Sequence, residues 1–409
     1  MPAMATTRPE DLGLSSERLA RITDVTHAYV DKGKLPNVQT LVSRRGELVY
    51  EDVYGWTDVE AQTPADLDTL YRIYSMTKPI TSVGLMMLYE EGAFLLENPL
   101  RRYLPEFADL QVWEGGTADD PKTRPAAREV TVHDVLTHLS GFTYGFHFQH
   151  PLDELYRRHN LGSFGAEPDY DLAEAMSRMA ELPLLFDPGT RWNYSMSTDV
   201  CGRLIEVLSG LPLDRFFQER ILGPLGMTDT AFFAPEEELG RCSPLYIRGL
   251  GGALQVMASA RQMTKPPTFL SGGGGLVGTG RDYLRFCHML LNGGELDGVR
   301  LLSPRTLAYM TRNHLPGGRT LNEMGQSTFA EVAMEGTGFG LGFGTVEDAA
   351  AQKNLANEGE FSWGGAASTA FWVDPADEIC VVFMTQLLPS STYPIRRQLR
   401  AAVLQAVVE

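Results

Sequence analysis

Tyr74-Ser75-Met76-Thr77-Lys78-Pro79-Ile80, running on into Thr81-Ser82-Val83-Gly84-Leu85-Met86-Met87-Leu88-Tyr89, is the stretch on which the reading of this chain turns. A Ser and a Lys three residues apart at the start of a helix share one face, about one turn apart. The residues after them are apolar nearly all the way round, as in a helix buried on every side. Such a helix carries a hydroxyl and an amine to its N-terminal end inside the protein. The helix dipole favours an alkoxide there, and burial pushes a lysine toward its neutral, basic form. The pair therefore reads as a nucleophile, Ser75, and a group that helps to deprotonate it, Lys78. Pro79 does not sit easily in this helix. It lacks the N–H that would bond the Ser75 carbonyl, so the first turn must start late or be distorted.

Outward from this helix the pattern becomes strand-like on both sides. Upstream, Val38 to Ser43 and Glu47 to Trp56 flank Arg44-Arg45-Gly46 as a hairpin. Before them Leu14 to Lys32 is an amphipathic helix, with Ser15 as N-cap, Leu14 and Leu19 as a staple, and Gly33 closing it. Far downstream strand signals return at Gly340 to Val346, Glu360 to Trp363, Ser368 to Val373 and Glu378 to Thr385, and a helix over Ile395 to Val408 follows. The region between is made of short helices and polar loops rich in Pro and Gly. Thr131-Val132-His133-Asp134 is a capping box, Ser197 to Leu208 is helical, Thr279 with Asp282 caps another helix, and Glu114 to Arg128 reads as a loop. The expected class is α+β: one antiparallel sheet built from N- and C-terminal segments and flanked by helices, plus a mostly helical middle. The corresponding division is a lobe of residues 1–95 and 331–409, a region 96–330, and an active site between them.

Composition narrows the function. At 409 residues, with 43% hydrophobic and 21% charged residues, the chain is an ordinary globular protein with a large core. A net charge of -17 argues against nucleic acid or an anionic membrane surface as partner. Cys201, Cys242, Cys287 and Cys380 lack CxxC spacing, which fits reduced thiols. No apolar run reaches the ~18 residues of a membrane span, and the first residues lack the apolar core of a signal peptide. The expectation is a cytoplasmic protein. Its oligomeric state cannot be read from the sequence.

A Ser-x-x-Lys pair alone is a weak signal, but further stretches accompany it in order. These are Leu136-Thr137-His138-Leu139-Ser140-Gly141, Pro188-Gly189 with Tyr194-Ser195, Gly272 to Gly280 with Asp282-Tyr283, and Trp363-Gly364-Gly365. With them the chain resembles the serine β-lactamase/penicillin-binding-protein-like superfamily, specifically the family VIII carboxylesterases related to class C β-lactamases. The resemblance spans about residues 12 to 408 and implies the β-lactamase/transpeptidase-like fold. It also implies that Ser75 is acylated, that Lys78 takes or relays its proton, and that Tyr194 is base or proton shuttle. The implied oxyanion hole is the backbone N–H of Ser75 and of Ala366. Class C β-lactamases have an Asn two residues after this tyrosine, where Ser195-Met196 stands here. They also carry Lys-Thr-Gly in place of Trp363-Gly364-Gly365, the segment expected to bind substrate. Both departures favour a neutral acyl ester of short to medium chain over an anionic lactam, with cephalosporin hydrolysis as a weak side activity. The alternatives are a class C-like β-lactamase, a D-Ala-D-Ala peptidase, or an acyltransferase of the same superfamily.

The remaining motifs have bland readings. His133 and His138 are expected to be structural, His138 through a bond to a backbone group. His147 and His150 lie in an aromatic loop suited to wall an acyl pocket, with no carboxylate or cysteine spaced to complete a metal site. Gly272 to Gly278 contains GxGxxG but follows Lys265-Pro266-Pro267 and not a strand, which argues against a dinucleotide. A Gly-x-Ser-x-Gly elbow is absent. The expectation is therefore a cofactor-free, metal-free enzyme whose partner is a small acyl ester.

Overall fold

The computed structural model describes residues 7–164, 168–325 and 333–409. Its frame is an eight-stranded sheet in which every neighbouring pair is antiparallel. The N-terminal half supplies β1 (Asn37–Arg44), β2 (Glu47–Asp58) and β3 (Thr63–Pro64). The C-terminal part supplies β4 (Thr337–Phe339), β5 (Gly344–Val346), β6 (Phe361–Gly364), β7 (Ala370–Asp374) and β8 (Ile379–Met384). The spatial order is β4-β5-β6-β7-β8-β1-β2-β3, so β1 and β8 close the sheet across some 340 residues of chain.

Strand alternation sorts the core into two layers. On β8, Ile379, Val381 and Phe383 join Val38 and Val42 of β1 against helix α1 (Ser16–Asp31) and the terminal helix (Ile395–Leu404). Cys380, Val382 and Met384 face the opposite way, into the larger core shared with the helical region. Ser15 caps α1 by accepting from the Arg18 N–H, and Leu14 and Leu19 are both buried. The Thr131 box forms around Val132–Leu136, and Thr279 caps the Gly280–Leu291 helix. That helix belongs by sequence to the middle region, yet it packs on β8, β7 and β1.

The loop expected over Glu114 to Arg128 is instead largely a β-hairpin, Gln111–Gly116 with Pro121–Pro125. Its outer strand is almost wholly exposed, so main-chain pairing holds it together without an apolar face to mark it. No helix among the described residues is long and apolar enough to cross a membrane.

Helix α2 (Thr77–Glu90) runs through the interior between the sheet and the helical region, with every residue from Thr77 to Leu88 buried. Gly84 lets it approach the Ser197–Ser209 helix, against which it packs. A Cβ at residue 84 would stand 3.1 Å from Phe216, 3.2 Å from Ile221 and 3.3 Å from Ile205.

Candidate active site

The chain enters α2 through a single 3-10 turn, Tyr74–Met76, and the helix proper begins at Thr77. Pro79 is therefore the third helical residue, in the first turn, where no N–H has an intrahelical acceptor. The late start accounts for the proline. Distortion lies earlier, at Tyr74, whose φ of 44° is in the left-handed region. A non-glycine residue held there stores roughly 1–2 kcal/mol, and it directly precedes Ser75.

Three further segments hold this turn. Tyr71 and Arg72 pair with Gly278 and Val277, and Ile73 donates its N–H to Leu276 O at 3.1 Å. The Tyr283 hydroxyl donates to Met76 O at 2.8 Å. The end of β6 presses in from the other side, where a Cβ on Gly365 would lie 2.4 Å from Ile73 O. Only glycine permits that approach.

Ser75 Oγ lies 2.6 Å from the Tyr194 hydroxyl and 3.2 Å from Lys78 Nζ. Lys78 Nζ also donates to Gly273 O at 2.7 Å and sits over the Tyr194 ring, 4.5 Å from its centroid. All three side chains are buried, Tyr194 completely and Lys78 at 2% exposure. Residues 75 and 78 come together by helical spacing, whereas Tyr194 arrives from 119 residues away. Its backbone is fixed by its neighbours: His147 Nε2 lies 2.7 Å from Tyr194 O, and Asn193 Nδ2 donates to Phe142 O at 2.9 Å.

His138 bonds a side chain where a backbone group was expected. Its Nδ1 is 3.1 Å from Ser195 Oγ, and a chain of hydroxyls continues through Ser197 to Ser140 at 2.8 Å each. Burial, aided by the nearby Lys78 charge, holds this imidazole well below its usual range, so the ring is neutral. His150 caps the Pro151–Arg158 helix, its Nδ1 accepting from the Leu152 N–H. Among the described residues no group of three or more His, Cys, Asp or Glu is placed to hold a metal ion.

Ser75 and Lys78 open onto a cavity of about 180 Å³. Tyr74, Tyr144, Phe146, Phe164, Tyr170 and Phe269 wall it, with Tyr144, Phe146 and Phe164 stacked in series at centroid distances of 4.5 and 4.7 Å. Ala366 is also in the lining, and its N–H has no acceptor among the described residues.

Trp363, Gly364 and Gly365 are not in this lining. Trp363 is 1% exposed and packs behind Tyr194, with ring centroids 5.5 Å apart and its indole N–H directed at the Tyr194 oxygen at 3.3 Å. On β6 the side chains of Phe361 and Trp363 both face the larger core, which puts the indole behind the tyrosine.

The sequence pattern of the Beta-lactamase family matches residues 22–405 of this chain. The chain belongs to the Beta-lactamase family. Esterase EstB of Burkholderia gladioli is 30% identical over 384 residues, covering 90% of each chain. Protein Rv1367c of Mycobacterium tuberculosis is 36% identical over 362 residues, 88% of each. The structure of EstCE1, described as a hydrolase with promiscuous acyltransferase activity, superposes with a TM-score of 0.78. It covers 95% of this chain and 98% of its own, at 24% identity.

Two features of the site went unread in the sequence. One is the Gly273 carbonyl that receives Lys78, since a backbone acceptor leaves no trace in residue identity. The other is Asp199. Five residues after Tyr194 and in the first turn of a helix, it looks like an ordinary acidic residue at a helix N-terminus. It is in fact 2% exposed and lines the cavity, with Oδ1 accepting from Ser271 Oγ at 2.6 Å and from the Gly273 N–H at 3.0 Å. Burial raises its carboxyl above the usual range, against the lowering effects of those hydrogen bonds and of Lys78.

Proposed function

We propose that this protein is a serine carboxylesterase that hydrolyses short- to medium-chain acyl esters through an acyl-enzyme on Ser75. The observation that carries the reading is Ser75 Oγ held at 2.6 Å from Tyr194 and 3.2 Å from Lys78 at the edge of an aromatic cavity.

In this reading Lys78 takes or relays the Ser75 proton as Oγ attacks the ester carbonyl. The resulting oxyanion turns toward the N–H groups of Ser75 and Ala366, each donor worth ~3–4 kcal/mol. As the tetrahedral species collapses, the bond to the alcohol oxygen breaks, Tyr194 gives its phenolic proton to the leaving alkoxide and is reprotonated by the proton Lys78 took, so that both groups return to their starting state. Water then repeats the sequence on the acyl-enzyme and releases the carboxylic acid. The Trp363 N–H, 3.3 Å from the phenolic oxygen, supports a tyrosine that passes through a partly anionic form. A cavity of about 180 Å³ fits a small acyl group, and EstB supports ester hydrolysis as the chemistry.

The test is p-nitrophenyl butyrate hydrolysis by Ser75→Ala and Lys78→Ala, with circular dichroism and melting temperature as checks on the fold. Both variants should lose ~10⁴-fold or more in kcat/KM while remaining folded. Retained turnover in folded Ser75→Ala refutes the reading. Adding an alcohol acceptor and analysing products separates hydrolysis from acyl transfer, the alternative reading within this superfamily.

A further inference from the structure

Asp199 stands in the active-site cavity with half of its carboxylate unused. Oδ1 takes both hydrogen bonds, from Ser271 and Gly273, while Oδ2 has no partner among the described residues. Oδ2 is not shut away in the core but faces the cavity, where an acceptor-only oxygen meets whatever acyl group enters beside Ser75. Lys78 is the single cation among the described residues lining the cavity, and its Nζ already contacts Ser75 Oγ and Gly273 O. The other walls are aromatic or neutral, so the field of a carboxylate is poorly screened there. An acyl group carrying its own carboxylate would bring a second negative charge into a cavity whose one cation among the described residues, Lys78, already interacts with Asp199 and Ser75.

We propose that Asp199 is a specificity-determining residue that bars acyl groups bearing a carboxylate from the cavity and leaves neutral acyl esters as substrates. This rests on the esterase reading of Ser75. It transfers the discrimination against anionic substrates from Trp363, which lies behind Tyr194, to a group inside the cavity. The exclusion works by charge, because the same four-carbon chain fits with or without the terminal carboxylate.

The experiment compares ethyl butyrate with monoethyl succinate, a four-carbon pair that differs in the terminal carboxylate, by pH-stat titration of the acid released. The proteins are wild type, Asp199→Asn, Asp199→Ser and Ser75→Ala. Wild type should favour the butyrate by about tenfold or more in kcat/KM. The two Asp199 variants should reduce that ratio at least about tenfold, whatever happens to their absolute rates. Asn keeps the shape and an acceptor for Ser271 and Gly273, and Ser covers the case in which Asn does not fold. A wild-type ratio near one, or a ratio unmoved in a folded Asp199 variant, overturns the proposal. Failure of the esterase reading looks different, because wild type would then release acid from neither ester, or Ser75→Ala would still release it from both.

Discussion

The hydroxyl of Tyr194 is held from two sides, by Ser75 Oγ at 2.6 Å and by the Trp363 indole N–H at 3.3 Å. Removing it in Tyr194→Phe deletes the proposed proton carrier and keeps the ring that packs on Trp363 and His138. Steady-state kinetics should then show a kcat loss of ~10²–10⁴-fold with little change in melting temperature. Trp363→Phe keeps an aromatic ring but not the N–H. Its expected effect is smaller, about tenfold in kcat, because one neutral hydrogen bond is worth ~1 kcal/mol. A pure packing role for the indole would instead lower stability and leave the pH profile of kcat unmoved. The Ser75–Lys78 pair is legible in the sequence because helical spacing alone brings the two together. Tyr194 is not legible that way: no periodicity links residues 119 apart, and only the order of motifs pointed to it. That Trp363 packs behind Tyr194 is not legible in the sequence, because alternation along β6 says which side of the sheet a residue faces, not whether a cavity or another side chain meets it there.

At the level of elements, α2 illustrates how a local rule and a tertiary demand are reconciled. Pro79 conflicts with a helix beginning at Ser75 and fits one beginning at Thr77. Pro79→Ala should therefore keep the fold and change stability by no more than about 1 kcal/mol in chemical denaturation, largely through the unfolded chain. Gly84→Leu on the same helix should cost about 2 kcal/mol or more, because the space is already occupied by Phe216, Ile221 and Ile205. The strands and capped helices were readable because each carries its own pattern, either alternation or a cap with an apolar stripe. The Gln111–Gly116 hairpin was not, since exposed main-chain pairing leaves no such pattern. Nor did the sequence indicate that the Gly280–Leu291 helix would lie on the sheet, because its amphipathic face does not name its partner.

For the molecule as a whole, two buried carboxyls away from the cavity link stability to pH. Burial pushes Asp282 up to about 6 and Glu360, despite its Arg400 partner, up to about 7. Both folded-state values lie above their ordinary ones, so between them the native protein binds more protons than the unfolded chain. Stability therefore falls as pH rises through that window. For Asp282 the loss between about pH 4 and pH 6 amounts to roughly 3 kcal/mol at most. Asn can still accept from the Asp229 N–H and Thr230 Oγ1, which Asp282 Oδ2 now does at 2.8 Å each. Asp282→Asn should thus flatten urea-derived stability across this range, and an unchanged slope would place the pH dependence elsewhere.

The pairing of β1 with β8 also bears on the order of events at the ribosome. Residues 37–44 emerge early in synthesis, but their sheet partner, residues 379–384, emerges some 340 residues later. Until then the nascent chain exposes one long edge of β1, and Ser75, Lys78 and Tyr194 are all outside the exit tunnel before the strand leading to Ala366 is made. The proposed nucleophile is thus present in an incomplete chain that lacks Ala366, part of its cavity wall. Late closure of this kind leaves the β1 edge open to mispairing until the C-terminal strands are made.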